Sequence, residues 1–202
     1  MNNSITRVLL ACLLCFSGHA FADSLLNQIE GMVGSAQTVR GKFVQTKVMT
    51  GISKRLVSDG NFIVDKTQGV LWVTEKPIYQ KLRVSNSSIK IDNKSGNLMA
   101  LDARSEPSVR YINELVLAVF SGDLNALDRL FSYTGEASSR GWAVELTPKS
   151  AASAPFKRIT MAGGSTISRI TFISKDGDST EISFSDVRPA ASLTKDEALQ
   201  LQ

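Results

Sequence analysis

The chain has 202 residues, about the length of one domain, and 43% of them are hydrophobic, enough to build a packed core. Its 23 basic and 19 acidic residues leave a net charge of only +4, too mild a bias to name a partner by itself. The two cysteines and the single histidine are Cys12, Cys15 and His19, so beyond residue 22 no Ser-His-Asp triad, Cys-His pair or His-ligated zinc site can be assembled.

The first 22 residues read as a cleavable signal peptide. Arg7 supplies the positive charge, Val8 to Phe16 form an apolar run, and Ala20 and Ala22 give an A-x-A cleavage pattern. The run is far shorter than the roughly 20 residues that a permanent span needs. Leu9 to Cys12 has the outline of a lipobox, but the apolar stretch before Cys12 is short for a lipid anchor. Export to the periplasm of a Gram-negative bacterium is the expectation. The mature domain, 23–202, would hold no disulfide and would depend on its core.

Leu25, Leu26, Ile29, Met32 and Val33 recur at helical spacing, with Asp23 or Ser24 to cap the start and Gly34 to end it. From Val39 to Leu101 the period shortens to two. Strands are expected near 39–49, 55–65, 69–76, 79–85, 88–93 and 97–101, joined by connections rich in Gly, Asn, Ser and Pro. Connections this short cannot hold crossover helices, so the sheet should be antiparallel. Two of its strands carry a puzzle. In Gly60 to Pro77, Phe62 and Val64 share one face with Ile63 on the other, and Val70 and Trp72 share one face with Leu71 and Val73 on the other. A half-solvated strand should alternate apolar with polar, so something must cover the second face.

Ser105 to Tyr133 returns to helical spacing. Val109, Ile112, Leu115, Val116, Val119 and Phe120 suggest one helix starting near Ser105 and Pro107. Asp123 can cap a second carrying Leu124, Leu127, Leu130 and Phe131. Strands resume at Gly141 to Pro148, Phe156 to Ala162, Ile167 to Lys175 and Thr180 to Val187, with Met161 to Thr166 as a tight hairpin connection. Thr194 and Glu197 form a capping box for a short terminal helix.

Little catalytic chemistry is in reach. Carboxylate pairs among Asp59, Asp65, Glu75, Asp92 and Asp102 could in principle hydrolyse a glycoside, but all except Asp102 sit beside turns or strand ends, where solvated carboxylates are ordinary. No catalytic residue, cofactor or metal ligand is assigned. Lys42, Lys47, Lys54, Arg55, Lys81, Arg83 and Lys90 punctuate the strands. They suit a solvated face or the docking of an acidic partner protein. Export removes nucleic acid as the usual partner of such a pattern.

The order of elements resembles the outer-membrane lipoprotein carrier family, LolA. The resemblance rests on Phe43 and Gln45 after the first helix, on Gly60, Phe62, Trp72 and Pro77, on the strand from Trp142 to Lys149, and on Phe184 in the late hairpin. It implies a mainly β fold with helices (α+β), an incomplete antiparallel β-barrel covered by a helical lid over an apolar cavity. It also implies a monomeric, non-enzymatic periplasmic carrier and chaperone, shielding acyl chains of lipoproteins or a related envelope lipid between inner and outer membrane. An inner-membrane ABC-type releasing complex and an outer-membrane receptor lipoprotein would be its partners. On that footing Phe43, Phe62, Val64, Leu71 and Trp72 line the sheet side of the cavity, and Leu115, Val119 and Phe120 line the lid side. Where many family members carry an Arg-Pro step this chain has Lys66 and Thr67, so Lys66 is the candidate lid latch. A lysine lacks the planar fork of arginine. The alternatives are an envelope binding or scaffold module with a filled core, and a carboxylate hydrolase.

Overall fold

A computed structural model of the chain describes residues 24–33, 36–52, 54–85, 87–102, 114–115, 117–118, 124–150 and 154–201. The expected signal peptide, 1–22, lies outside the described residues. Among the described residues no helix is long and apolar enough to cross a membrane.

Helix α1 (Leu25–Val33) begins as its sequence dictates. The Asn27 amide donates to Ser24 Oγ at 3.2 Å and the Gln28 amide to the Ser24 carbonyl at 3.1 Å, which satisfies donors that a helix start leaves unpaired. Eleven strands follow: β1 (Thr38–Val48), β2 (Leu56–Asp65), β3 (Gly69–Lys76), β4 (Gln80–Val84), β5 (Ser88–Asn93), β6 (Gly96–Asp102), β7 (Phe131–Ser138), β8 (Gly141–Pro148), β9 (Phe156–Gly163), β10 (Ile167–Ser174) and β11 (Ser179–Ala190). They form one sheet in the order β6-β5-β4-β3-β2-β1-β11-β10-β9-β8-β7, antiparallel at every junction. Every junction in this order joins sequential strands except β1–β11, where the first and last strands meet. β6 and β7 are the edges and do not pair with each other, so the barrel is open.

One expectation fails here. Phe131 does not end a helix. Leu124–Arg129 form a short 3-10 helix, η1, and Phe131 opens β7. The Leu124, Leu127, Leu130 spacing mimics a helix, but Phe131 and Tyr133 alternate with Ser132 and Thr134 and pair with Pro148 and Leu146 of β8. Once β8 is there to pair with, the ladder outweighs local helical preference.

Strand alternation sorts side chains onto two faces. The concave face carries Val39, Val64, Val70, Val84, Ile89 and Leu101 in one row across the strands, with Phe62, Trp72, Leu82 and Ile91 in the next. The register of β1 on β11 shifts by one residue near Asp186, which adopts φ 52, a left-handed conformation that Asp tolerates better than most residues. The bulge lets Phe184 and Val187, three apart, join the same concave cluster.

The convex face has its own cover. Arg40, Ile63, Leu71 and Arg83 form a row there, and helix α2 (Lys195–Leu201) packs against β3. The capping box is present: the Glu197 amide donates to Thr194 Oγ1 at 3.3 Å and the Thr194 amide to Glu197 Oε2 at 2.6 Å. The same carboxylate receives Arg40 Nε at 2.6 Å and Nη2 at 2.5 Å, and Nη2 also reaches the Ser192 carbonyl at 3.0 Å. This forked ion pair fastens the C-terminal helix to β1. It also explains why Gly60 to Pro77 is apolar on both sides: α2 covers one side and the concave core the other.

The strand directions define two rims. The connections 49–55, 77–79, 94–95 and 175–178 lie at the upper rim, and 66–68, 85–87 and 164–166 at the lower.

Candidate functional site

The concave face holds two apolar clusters. The first lies over β7–β10 and is roofed by α1 and η1. It encloses Leu26, Ile29, Leu127, Phe131, Leu146 and Ile159, and Leu115 and Ala118 reach it from the segment after β6. The second lies over β1–β6 and contains Phe43, Phe62, Val64, Val70, Val84 and Ile89, with Trp72, Leu82, Ile91, Leu101 and Leu117 partly buried against it. Phe172 and Phe184 pack against both, so the lining runs unbroken from one edge of the sheet toward the other.

Aromatic rings concentrate in the second cluster. Phe43 stacks on Trp72 with centroids 3.8 Å apart, and Phe62 lies 6.0 Å from Trp72 in a nearly parallel orientation. Phe184 meets Phe62 edge-on at 5.4 Å and Trp72 at 6.2 Å. Four adjacent strands, β11, β1, β2 and β3, each contribute one ring. Two glycines lie tight against their neighbours here, Gly41 under the Phe62 ring and Gly60 against the β3 backbone. A Cβ at Gly41 would stand 2.6 Å from the Phe62 ring, and one at Gly60 would stand 1.9 Å from the Val73 carbonyl oxygen, so neither site accepts a side chain without a shift.

Helical residues 114–115 and 117–118 stand between the clusters. Leu115 and Ala118, three apart and so on one side of a helix, face the first cluster, and Leu117 faces the second. The chain leaves β6 at Asp102 near the lower rim, where Ser88 pairs with Asp102, and resumes at η1, which leads into β7 at the upper rim.

Of the residues selected from sequence, Phe43, Phe62 and Val64 are buried together on the concave face, with Trp72 half-buried among them. Leu71 does not join them. It is buried, but alternation turns it to the convex side where α2 packs, so it is withdrawn from the cavity set. Leu115 lies in the first cluster rather than over the aromatic rings. Val119 and Phe120 lie outside the described residues. Lys66 is exposed in the β2–β3 turn, with its amide donating to the Gln37 carbonyl at 3.1 Å.

That turn is organised by Asp65. Its carboxylate receives Thr38 Oγ1 at 2.8 Å, Thr67 Oγ1 at 2.6 Å, and the amides of Thr67 and Gln68 at 3.0 Å each. Burial pushes the carboxyl upward, but these donors outweigh it and hold its pKa at about 2. A carboxylate so committed is no general acid. Asp92 is paired with Arg83, and Glu75 accepts from Asn61 at 2.8 Å. Each of these three carboxylates is occupied by a donor of its own. A groove of about 610 Å³ does open on the convex side of β7–β11, lined by Thr134, Glu136, Glu145, Arg169 and Glu181 among others. Its charged lining does not suit a hydrocarbon.

The sequence did not single out Phe184 or Phe172 as a bridge between clusters. Phe184 falls on an expected strand, but its convergence with Trp72 depends on β1 pairing both β2 and β11.

With this geometry in view, the comparisons are direct. The family model for the outer membrane lipoprotein carrier protein LolA matches residues 34–197. The chain belongs to the LolA family. No curated protein sequence matches it. Among solved structures, it is similar to a DUF1329 family protein from Desulfovibrio piger at 13% identity and a TM-score of 0.50, over 88% of this chain and 96% of that one. It is also similar to a LolA superfamily protein from Nitrosomonas europaea at 11% identity and a TM-score of 0.47, over 87% of this chain and 98% of that one. At 13% identity the likeness to the first is one of fold alone.

Proposed function

We propose that this LolA-family chain is a periplasmic carrier that takes acyl chains of lipoproteins, or of a related envelope lipid, onto the concave face of its β1–β6 half. The observation that supports this most is the unbroken apolar lining there, ringed by Phe43, Phe62, Trp72 and Phe184. Burial is worth about 0.8 kcal/mol per methylene, so exposing a chain of roughly 16 carbons to water costs on the order of 12 kcal/mol. Movement between membranes therefore requires a shield. Release requires that the shield open, so bound and open states should lie within a few kcal/mol of each other. In this reading the segment bearing Leu115, Leu117 and Ala118 is the cover, and Lys66 at the lower rim is its latch. An inner-membrane ABC-type complex would load the carrier and an outer-membrane receptor lipoprotein would unload it.

The test is to purify the exported protein from its host envelope and analyse what travels with it by mass spectrometry, alongside titration with a fluorescent fatty acid. Co-purifying acylated lipoprotein or lipid, with saturable fatty-acid binding, is the expected result. A protein that carries nothing and binds no fatty acid would instead be a scaffold with a filled core.

A further inference from the structure

The upper rim carries exposed apolar side chains where a solvated loop should have none. Ile78, at the tip of the β3–β4 connection, is 76% exposed, more than any other large hydrophobic residue among those described. Beside it on the β1–β2 hairpin stand Val57 at 54%, Ile52 at 49% and Leu56 at 46%. Scattered single apolar residues on a surface need no explanation, but Ile52 and Ile78 stand on two neighbouring connections, and Leu56 and Val57 open β2 directly beside them, all at one end of the sheet. Asp59 pairs with Lys76, which brings those connections together.

Their charge is one-sided. Between Val48 and Ser58, and again between Lys76 and Ile91, the sequence has no acidic residue, while Lys54, Arg55, Lys76 and Lys81 fall inside those stretches. Lys94, on the β5–β6 turn, sets its Nζ 5.9 Å from the centroid of the Tyr79 ring, so that turn joins the same tip. Four carboxylates lie near, Asp59, Glu75, Asp176 and Asp178. Asp178 is held by Lys47 at 3.6 Å and by the Thr50 amide at 3.0 Å, and Glu75 by Asn61. Glu75 and Asp176 are exposed, and Asp59 lies across from Lys76.

We propose that this rim docks on the surface of a bilayer that carries anionic headgroups. Aliphatic side chains on and beside protruding turns, with lysine and arginine among them, match an interface in which apolar groups enter the acyl boundary and cations meet phosphates. A flat hydrophobic face would favour a protein partner, but here Ile78 and Ile52 stand on turns and Leu56 and Val57 at the strand end beside them. The docking rests on this rim alone and does not require the concave face to hold a lipid.

Flotation of the intact domain with vesicles tests it. Vesicles of phosphatidylcholine with phosphatidylglycerol should retain the protein, vesicles of phosphatidylcholine alone should retain much less, and raised salt should release it. Each charge near the surface contributes about fivefold in affinity, so the Lys54→Glu, Lys76→Glu pair should weaken binding at least 25-fold by that scale. Ile78→Asp should weaken it about tenfold. Leu199→Asp, at a residue 67% exposed on α2, should leave it unchanged. All these sites are on the surface, and unaltered thermal melting would show that the variants fold. Fatty-acid titration of Ile78→Asp should match the unaltered protein, which separates loss of docking from loss of cargo binding. Equal retention on neutral and anionic vesicles, or binding that survives both the charge reversal and Ile78→Asp, overturns the proposal. So does binding to an acidic protein with none to vesicles.

Discussion

The two halves of the concave face are built from the same alternating strands but are covered differently. Over β7–β10, α1 and η1 lie directly on the sheet and leave Leu26, Ile29, Leu127, Phe131, Leu146 and Ile159 wholly enclosed. Over β1–β6, Leu117 is the one side chain from outside the sheet among the described residues of the cluster, and Trp72, Leu82, Ile91 and Leu101 remain partly open. The first half has a permanent roof anchored by a capped helix. The second is met among the described residues only by Leu117. The difference separates what holds the fold from what a ligand would have to displace.

The largest expected effect falls on the closed half. Leu146→Ala removes a fully enclosed side chain and should cost about 3 kcal/mol in urea unfolding, with fatty-acid affinity of the folded fraction unchanged. Trp72→Ala, in the open half, should cost less, about 2 kcal/mol, because the ring is only half-buried. It should nonetheless weaken fatty-acid binding at least tenfold, on the order of 1.4 kcal/mol or more. If the two variants show the same ratio of stability loss to affinity loss, the halves are not functionally distinct.

A smaller effect concerns the convex side. Hydrogen bonding from Arg40 holds the Glu197 carboxyl at about 2, below its ordinary 4.5, against the upward push of burial. A carboxyl with a depressed folded pKa adds stability that is fully present above its unfolded pKa and fades as pH falls through the folded one. The fastening of α2 should therefore weaken between about pH 4.5 and pH 2. Asp65 loses its contribution over nearly the same window, from about 3.8 to 2. Glu197→Gln should lower stability at pH 7 by about 2 kcal/mol and flatten the acid limb of thermal melting, leaving the part that belongs to Asp65. An acid limb as steep as that of the unaltered protein would remove α2 from the account.

Much of this organisation is readable in the chain itself. β1 to β6 follow from alternation and turn residues, because their connections are short and each strand has a sequential neighbour. The Thr194 and Glu197 capping box is likewise local. What escapes is whatever depends on chain ends meeting. Arg40 and Glu197 pair across a separation of 157 residues, and nothing near either residue announces the other. Leu71 was misplaced for the opposite reason. Its strand is apolar on both faces, so periodicity separates the faces without saying which is concave. β7 was hidden behind leucines at helical spacing that belong to a 3-10 turn. Among the rings, Phe43, Phe62 and Trp72 could be chosen from sequence, but Phe184 reaches them only through the β1–β11 closure.

The smallest expected effect tests whether the open half is gated. Lys66 is exposed on a turn that Asp65 fixes from below, so Lys66→Ala should change stability by no more than about 0.5 kcal/mol. As a latch it would act on the cover rather than on the fold, and a single exposed charged hydrogen bond is worth roughly 0.5 to 1 kcal/mol. Stopped-flow displacement of a fluorescent fatty acid should then show release about threefold faster in Lys66→Ala. Lys66→Arg, which restores a planar fork, should slow release below that of the unaltered chain. If both variants release at the original rate, the cover closes by apolar contact alone. The contrast between the halves would then rest on Leu117 and the aromatic rings, with no polar catch at the lower rim.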